Sequence, residues 1–188
     1  MSRKPVTVRS AVPSDVPVLC QVWDGVLRRG DDARQAADIE QILGEAAADE
    51  RRAVLVAEYG GEVAGAVYVE ASTLTPLNLE PAVLVISPHV LSRFRRKGVG
   101  THLMDAAVRF AEDHGIGHIA TAATSDSRDG NRFMARLTLV PQAVLRVSTT
   151  QSVRGRLSTR RGLERPASRH IDRVLAARRG RRSERTPG

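Results

Sequence analysis

The sequence predicts an α/β domain over residues 1–150, followed by a basic extension over residues 151–188. Strand-like and helix-like segments alternate along the chain, and the composition, with 41% hydrophobic and 27% charged residues, is that of a globular protein. The net charge of +8 is unevenly distributed: residues 1–150 carry 17 Lys and Arg against 18 Asp and Glu, whereas residues 151–188 carry 12 against 3. Residues 1–150 are therefore near neutral, and only the extension has the charge that would favour binding to a polyanion.

The first elements are one strand and two helices. Residues 6–9 alternate as a short strand. Ser14 and Asp15 are typical capping residues, and apolar side chains recur at helical spacing from there until Gly30. Residues 33–50 place apolar side chains on one face of a second helix and charged side chains elsewhere.

A hairpin and a central strand come next. Residues 53–58 and 63–71 are rich in β-branched residues, and the glycines at 60–61 supply the positive φ angles of a tight hairpin. Residues 82–91 are apolar on both faces, which predicts a strand inside the sheet. Because Pro88 removes a ladder donor from this strand, we expect a bulge or a splayed edge there.

The second half of the domain continues the alternation. Residues 98–114 form an amphipathic helix that ends at Gly115, and residues 119–123 form a short strand. A further helix is predicted over residues 129–139 and a last strand over residues 141–148. This order predicts an α/β domain with helices packed on a sheet.

A cationic, glycine-containing loop joins the strand that ends at Leu91 to the long helix. The first N–H groups of a helix lack intrahelical partners, and Gly98 and Gly100 allow a phosphate to approach them without a clash at Cβ. Further positive charge comes from Arg95, Arg96 and Lys97. The loop lacks the Gly-Lys-Ser/Thr of a Walker loop, and Leu103 replaces the third glycine of the dinucleotide fingerprint. A different phosphate ligand is implied.

The pattern Arg95-x-x-Gly98-x-Gly100 resembles the Arg/Gln-x-x-Gly-x-Gly/Ala signature of the Gcn5-related N-acetyltransferases (GNATs), which bind the pyrophosphate of acetyl-CoA. The order of elements over residues 6–148 is similar to that family as well. The resemblance implies a mixed sheet of about six to seven strands flanked by helices, with a V-shaped split between two central parallel strands. It also implies acetyl-CoA as cosubstrate and direct acetyl transfer to a primary amine, without a metal.

The resemblance implies site residues too. The family's strand before the loop bulges, and its main chain holds the pantetheine arm and polarises the thioester carbonyl; Val90 and Leu91 match those positions. Ser127 stands where relatives often carry an Asn that contacts CoA. The full set of implied acetyl-CoA contacts is Val90, Leu91, Arg95, Arg96, Lys97, Gly98, Val99, Gly100, Thr101 and Ser127.

The chain departs from the family at the catalytic positions. Met134 stands where relatives carry a Tyr that protonates the departing thiolate, and Met cannot donate a proton. Leu84 and Ile86 stand where relatives carry a Glu or His base. The remaining candidates for the base are Glu70, Glu80 and His89.

Two alternatives to an acetyltransferase stay open from the sequence. Met134 and the missing strand base favour a non-catalytic acyl-CoA-binding or regulatory module. The Arg-rich extension over residues 151–188 is expected to be partly helical, over residues 167–179, or disordered, and nucleic-acid binding through its charge is the other alternative. Because the extension has no aromatic residue, such binding would rest on phosphate contacts and depend on salt. For the enzyme, the acceptor is an amine of a small molecule or a protein, and a homodimer is possible.

The compartment follows from cysteine usage and hydropathy. Cys20 is the only cysteine, so no intramolecular disulfide and no cysteine-based metal cluster can form. The start of the chain lacks the apolar stretch of a signal peptide, and no uninterrupted apolar run is long enough to cross a bilayer. These features predict a cytoplasmic protein that does not contact the membrane.

Overall fold

A computed structural model describes residues 4–122 and 127–163, with side chains up to residue 160. The strands are β1 (Val6–Ser10), β2 (Arg52–Tyr59), β3 (Glu62–Thr73), β4 (Pro81–Val90) and β5 (Ile119–Ala122). The helices are α1 (Val16–Val22), α2 (Asp32–Ala48), α3 (Val99–Asp113), α4 (Arg128–Arg136) and α5 (Thr150–Leu163). The chain divides into two compact units, Met1–Val140 and Pro141–Gly188.

The five strands form one mixed sheet in the order β1-β2-β3-β4-β5. The pairs from β1 to β4 are antiparallel, and β4 pairs with β5 in parallel. That parallel pairing runs from Val83 beside Ile119 to Ile86 beside Ala122, whereas β4 continues to Val90. In the described residues, the last four positions of β4 therefore lie beyond its pairing with β5. The mixed α/β fold is confirmed.

Both faces of the sheet are covered by helices. On one face, α3 packs its apolar side on the sheet, with Leu103 and Ala107 fully buried against Val67 and Val83. On the other face, α1 and α2 form a second cluster, whose buried members are Val16, Leu19, Val22, Trp23, Ile39, Leu43, Val54, Val56 and Ala66. The two clusters fix the sheet between layers, as the alternating apolar strands require.

Arg9 ties β1 to the turn before α1 and to β2. Its guanidinium donates to both carboxylate oxygens of Asp15, at 2.7 and 3.0 Å, and to Glu58 at 2.7 Å. The backbone N–H of Val12 donates to the same Asp15 carboxylate, which is buried. The Arg9 hydrogen bonds hold the pKa of Asp15 below its ordinary value.

Two predictions about the C-terminal half are corrected. Five strands stand in the described residues where about six to seven were expected, and residues 141–148 form no strand. Their apolar side chains, including Val144, Leu145 and Val147, are exposed, and an alternating pattern yields a strand only where a neighbouring strand supplies the ladder.

Helix α5 was not predicted. Its sequence has Gln, Leu and Arg, which favour helices, but its apolar residues are too few to produce a clear helical period. The helix expected over residues 167–179 lies outside the described residues. No described helix is both long and apolar enough to cross a membrane.

Candidate active site

The loop between β4 and α3 is built by two left-handed residues. Arg96 has φ 61° and Gly98 has φ 89°. Gly98 is the N-cap residue of α3, and its carbonyl accepts from the backbone N–H of His102 at 3.2 Å. Nδ1 of the His102 ring lies 2.9 Å from the same oxygen, so this nitrogen carries the proton. Two bonds from one residue thus fix the Gly98 carbonyl toward the helix.

The first turn of α3 offers backbone donors. The N–H groups of Val99, Gly100 and Thr101 belong to the initial positions of a helix, which have no intrahelical acceptor. A Cβ added to Gly100 would lie 3.6 Å from the Phe133 ring and 3.8 Å from the Val90 side chain. Gly100 therefore faces the space between the end of β4 and α4. The positive end of the α3 dipole adds to the attraction of an anion there.

The cations of the loop divide into two pairs. Arg93 donates to Glu62 at 2.6 Å, and its guanidinium lies 4.8 Å from the centroid of the Phe94 ring. Nζ of Lys97 lies 4.8 Å from the centroid of Tyr59 and 5.2 Å from that of Phe94. These two cations point toward the β2–β3 hairpin.

Arg95 and Arg96 are exposed, and neither has an ion pair among the described residues. Within the loop they are thus the cations whose charge is available to a phosphate. The sequence also predicted Lys97 as a phosphate contact, but in the structure its ammonium makes cation–π contacts with two aromatic rings.

A bulge in β4 decides where the backbone groups at the end of this strand point. Ala66 of β3 pairs with His89 of β4, and the next pair joins Tyr68 to Ile86. A step of two residues along β3 therefore matches a step of three along β4. The extra residue falls at Ser87-Pro88, and Ser87 has φ 49°. The bulge predicted from Pro88 is confirmed.

The bulge turns the N–H of Val90 away from β3. The Leu91 N–H donates to the Ala64 carbonyl of β3 at 2.9 Å. Successive N–H groups of a strand point to opposite sides, so the Val90 N–H points to the side of β4 on which β5 lies. Val90 and Leu91 thus differ. The Val90 N–H faces the edge of β4 beyond its pairing with β5, which we call the opening, whereas the Leu91 N–H already donates to Ala64.

Gly65 allows β3, β4 and α3 to meet at this point. A Cβ on Gly65 would lie 2.5 Å from the His89 carbonyl oxygen, 3.2 Å from the Val90 Cα and 3.3 Å from a methyl group of Val99. No real Cβ approaches a backbone oxygen that closely. Glycine at 65 is therefore required for the position of Val90 over the first turn of α3.

Two of the three candidate bases have other partners. Glu70 lies 3.5 Å from Arg52, which also contacts Glu45 and Asp49. Glu80 lies 3.6 Å from the exposed His118.

Glu80 also lies far from the loop along β4. It precedes β4 directly, and ten residues, roughly 30 Å of extended strand, separate it from Val90. The structure does not bring Glu80 to the loop.

His89 is the candidate nearest to the Val90 amide. It pairs with Ala66, which is buried in the cluster formed with α1 and α2, and directly opposed residues share a face of the sheet. Burial, followed by the charge of Arg95, lowers the pKa of His89 from its ordinary value. This shift favours the neutral imidazole, which can accept a proton.

The same face carries Tyr68 and Ile86, which oppose each other across β3 and β4. Ile86 is 38% exposed, so α1 and α2 leave this position of β4 partly uncovered. Burial raises the pKa of Tyr68, and nearby Glu70 adds to the shift. This phenol stays protonated at neutral pH.

The positions on α4 differ from the family pattern as the sequence indicated. Met134 is buried in the core against the sheet. Ser127 is the N-cap of α4, and its hydroxyl oxygen accepts from the Gly130 N–H at 3.1 Å. The hydroxyl hydrogen is the group that Ser127 can still offer to a ligand.

One contact near the bulge was not predicted from the sequence: the indole N–H of Trp23 donates to the Ser87 carbonyl at 2.9 Å.

The arrangement suits acetyl-CoA. Its pyrophosphate requires clustered N–H donors with a flanking positive charge, which the first turn of α3 and the Arg95-Arg96 pair provide. Its thioester carbonyl accepts hydrogen bonds, and the Val90 N–H is a backbone donor close to the first turn of α3. Among the described residues, no three His, Cys, Asp or Glu side chains group as metal ligands.

Comparison with known proteins identifies the family. The acetyltransferase (GNAT) family profile matches residues 21–138, more than half of the chain, and the chain belongs to this family. No curated protein sequence matches it.

Solved structures share the fold at low sequence identity. A transcriptional regulator from Bacillus halodurans C-125 has a TM-score of 0.65 and 20% identity, over 77% of this chain and 100% of that one. The aminoglycoside N-acetyltransferase AAC(6')-Iy in complex with CoA has a TM-score of 0.64 and 17% identity, over 78% and 96%. A ribosomal-protein-alanine N-acetyltransferase from Brucella melitensis has a TM-score of 0.59 and 19% identity, over 77% and 99%. The predicted family resemblance is confirmed.

Proposed function

We propose that this protein is an acetyl-CoA-dependent N-acetyltransferase that transfers the acetyl group directly to a primary amine. The observation that carries the proposal is the placement of the Val90 amide beside the first turn of α3. One site thus presents both a donor for a thioester carbonyl and a cradle for a pyrophosphate. Family membership and a CoA-bound structural neighbour support it. Use of acetyl-CoA and the single free cysteine favour a cytoplasmic location.

Binding of acetyl-CoA rests on the loop and on the start of α3. The N–H groups of Gly98, Val99, Gly100 and Thr101 bind the pyrophosphate oxygens, while Arg95 and Arg96 supply positive charge from the exposed side. Lys97 contributes at longer range, since its ammonium packs on Tyr59 and Phe94. The Ser127 hydroxyl adds one hydrogen bond from α4.

The Val90 amide is the electrophile-activating group. Acetyl-CoA supplies a thioester whose carbonyl oxygen becomes more negative as an amine attacks it. A fixed backbone N–H aimed at that oxygen contributes about 3 kcal/mol to catalysis, by comparison with other oxyanion donors. The Leu91 amide has no such role because its N–H already donates to the Ala64 carbonyl.

His89 is the proposed general base. Its neutral imidazole precedes Val90 directly and takes the proton that the attacking amine loses. Because a thiolate with a pKa near 8.5 departs readily, the site functions with a buried Met134 in place of an acid. The acceptor enters from the face of the sheet that carries Tyr68 and Ile86.

A transfer assay tests this function. The full chain is incubated with acetyl-CoA and a panel of amines that includes aminoglycosides, amino sugars and peptides with free N-termini and lysines. We expect one acetylated amine and one free thiol for each turnover, with a rate about 100-fold lower in His89→Gln. His118→Gln, which changes an exposed histidine, is the matched control and retains the rate.

The assay also separates the alternatives. Acetyl-CoA binding with no thiol release across the panel would instead support a non-catalytic acyl-CoA-binding module. A normal rate in His89→Gln would overturn the assignment of the base but leave the transferase standing.

A further inference from the structure

Trp23 makes a hydrogen bond that the catalytic scheme does not use. It caps the C-terminal end of α1, is 4% exposed, and donates from Nε1 to the Ser87 carbonyl at 2.9 Å. This bond joins the helical layer on the acceptor face to the bulge of β4. Trp23 is the only tryptophan in the chain, so tryptophan fluorescence comes from this position alone.

The bulge that receives this bond is intrinsically unfavourable. Ser87 has φ 49°, a left-handed conformation that residues other than glycine seldom adopt. A residue before proline prefers extended backbone, so Pro88 disfavours this conformation further. Pro88 also lacks an N–H and cannot add a ladder bond. An external hydrogen bond to the Ser87 carbonyl therefore stabilises a conformation that the local sequence does not favour.

The direction of the Val90 amide depends on the bulge. On the N-terminal side of the bulge, the Val83 N–H donates to the His118 carbonyl at 2.9 Å. The backbone N–H groups of odd-numbered residues in this part of β4 therefore point toward β5. A regular strand would continue this alternation and turn the Val90 N–H toward β3. The one extra residue reverses the alternation, and the Leu91 N–H is found on Ala64 of β3.

We propose that Trp23 is a positioning residue for the acetyl-transfer site: its indole N–H holds the Ser87-Pro88 bulge and thereby keeps the Val90 amide aimed into the opening. This inference rests on the proposed function. It assigns to α1 a role in binding the thioester in addition to covering the sheet.

The test must separate this role from packing, because Trp23 is also buried in the cluster of α1 and α2. Trp23→Phe keeps an aromatic ring and removes the N–H. Ser87→Gly relieves the left-handed strain and keeps the carbonyl. Val22→Ala, which truncates a fully buried neighbour in α1, is the packing control.

Calorimetric titration with acetyl-CoA and with CoA measures the effect on the ligand. We expect Trp23→Phe to weaken acetyl-CoA binding about five- to tenfold, the usual range for one lost hydrogen bond. Binding of CoA, which has no thioester carbonyl, changes less than about twofold. Adding Ser87→Gly to Trp23→Phe restores acetyl-CoA affinity. Val22→Ala lowers Tm but leaves both affinities unchanged.

Amide hydrogen exchange tests the bulge without any ligand. The Leu91 N–H is protected by its bond to Ala64. We expect it to exchange at least about fivefold faster in Trp23→Phe, with protection restored by Ser87→Gly.

The proposal is overturned if Trp23→Phe binds acetyl-CoA as the original chain does, or if Ser87→Gly restores neither affinity nor protection. If the original chain does not bind acetyl-CoA while Leu91 exchange still responds to Trp23, the proposed function fails and the structural link stands.

Discussion

Replacing Gly65 with alanine probes the junction on which the site depends. The added Cβ would lie 2.5 Å from the His89 carbonyl oxygen, which must move by nearly 1 Å to reach ordinary contact, and Val90 and Val99 are crowded as well. All three contacts belong to the end of β4 or the start of α3. Overpacking of this kind costs about 2–3 kcal/mol, which for a chain of this size lowers Tm by about 5–10 °C.

The same substitution at Gly44 is the matched control. Gly44 is an exposed residue inside α2, and a Cβ there meets nothing within 4 Å. Gly44→Ala should raise the free energy of unfolding by up to about 1 kcal/mol, because alanine favours helix over glycine. Opposite shifts in the two variants, measured by thermal and urea unfolding, support the packing described. A Gly65→Ala chain as stable as the original would refute it.

Three further predictions concern binding, pH dependence and stability. Gly100→Leu should weaken acetyl-CoA binding at least about tenfold by filling the space beside Phe133, whereas Gly100→Ala, with a closest contact of 3.6 Å, stays near the original affinity in the same titration. The pH profile of kcat/KM should fall tenfold per pH unit below the lowered pKa of His89, and Arg95→Gln should move this acid limb to higher pH by removing a positive charge. Asp15→Asn should lower the free energy of unfolding by about 2 kcal/mol at pH 7. Because the folded-state pKa of Asp15 is lowered, acid unfolding curves of the variant and the original chain should converge as pH falls through that pKa.

The loop and the bulge could be predicted because their causes are local. Gly98 and Gly100 stand at the start of an amphipathic helix, and Pro88 stands inside an apolar strand, so each residue affects the backbone locally. The strands from β1 to β5 could be predicted from similar local signals. The strand expected over residues 141–148 was wrong because a ladder needs a partner strand, which local alternation does not specify.

The direction of side chains could not be predicted. Lys97 was expected to face a phosphate, yet it packs over Tyr59, a residue 38 positions earlier that only the hairpin brings near. The bond from Trp23 to Ser87 joins residues 64 positions apart. Both depend on tertiary packing, and the only sequence signal was that Trp23 is the sole tryptophan.

Calorimetric titration of the original chain with acetyl-CoA tests the central claim most directly. The site described here predicts saturable binding of one acetyl-CoA per chain, with a Kd of about 1–100 μM, in the range usual for enzyme substrates. Absence of binding heat at several hundred micromolar ligand, about ten times a mid-range Kd, would contradict the assignment of this loop and opening to acetyl-CoA.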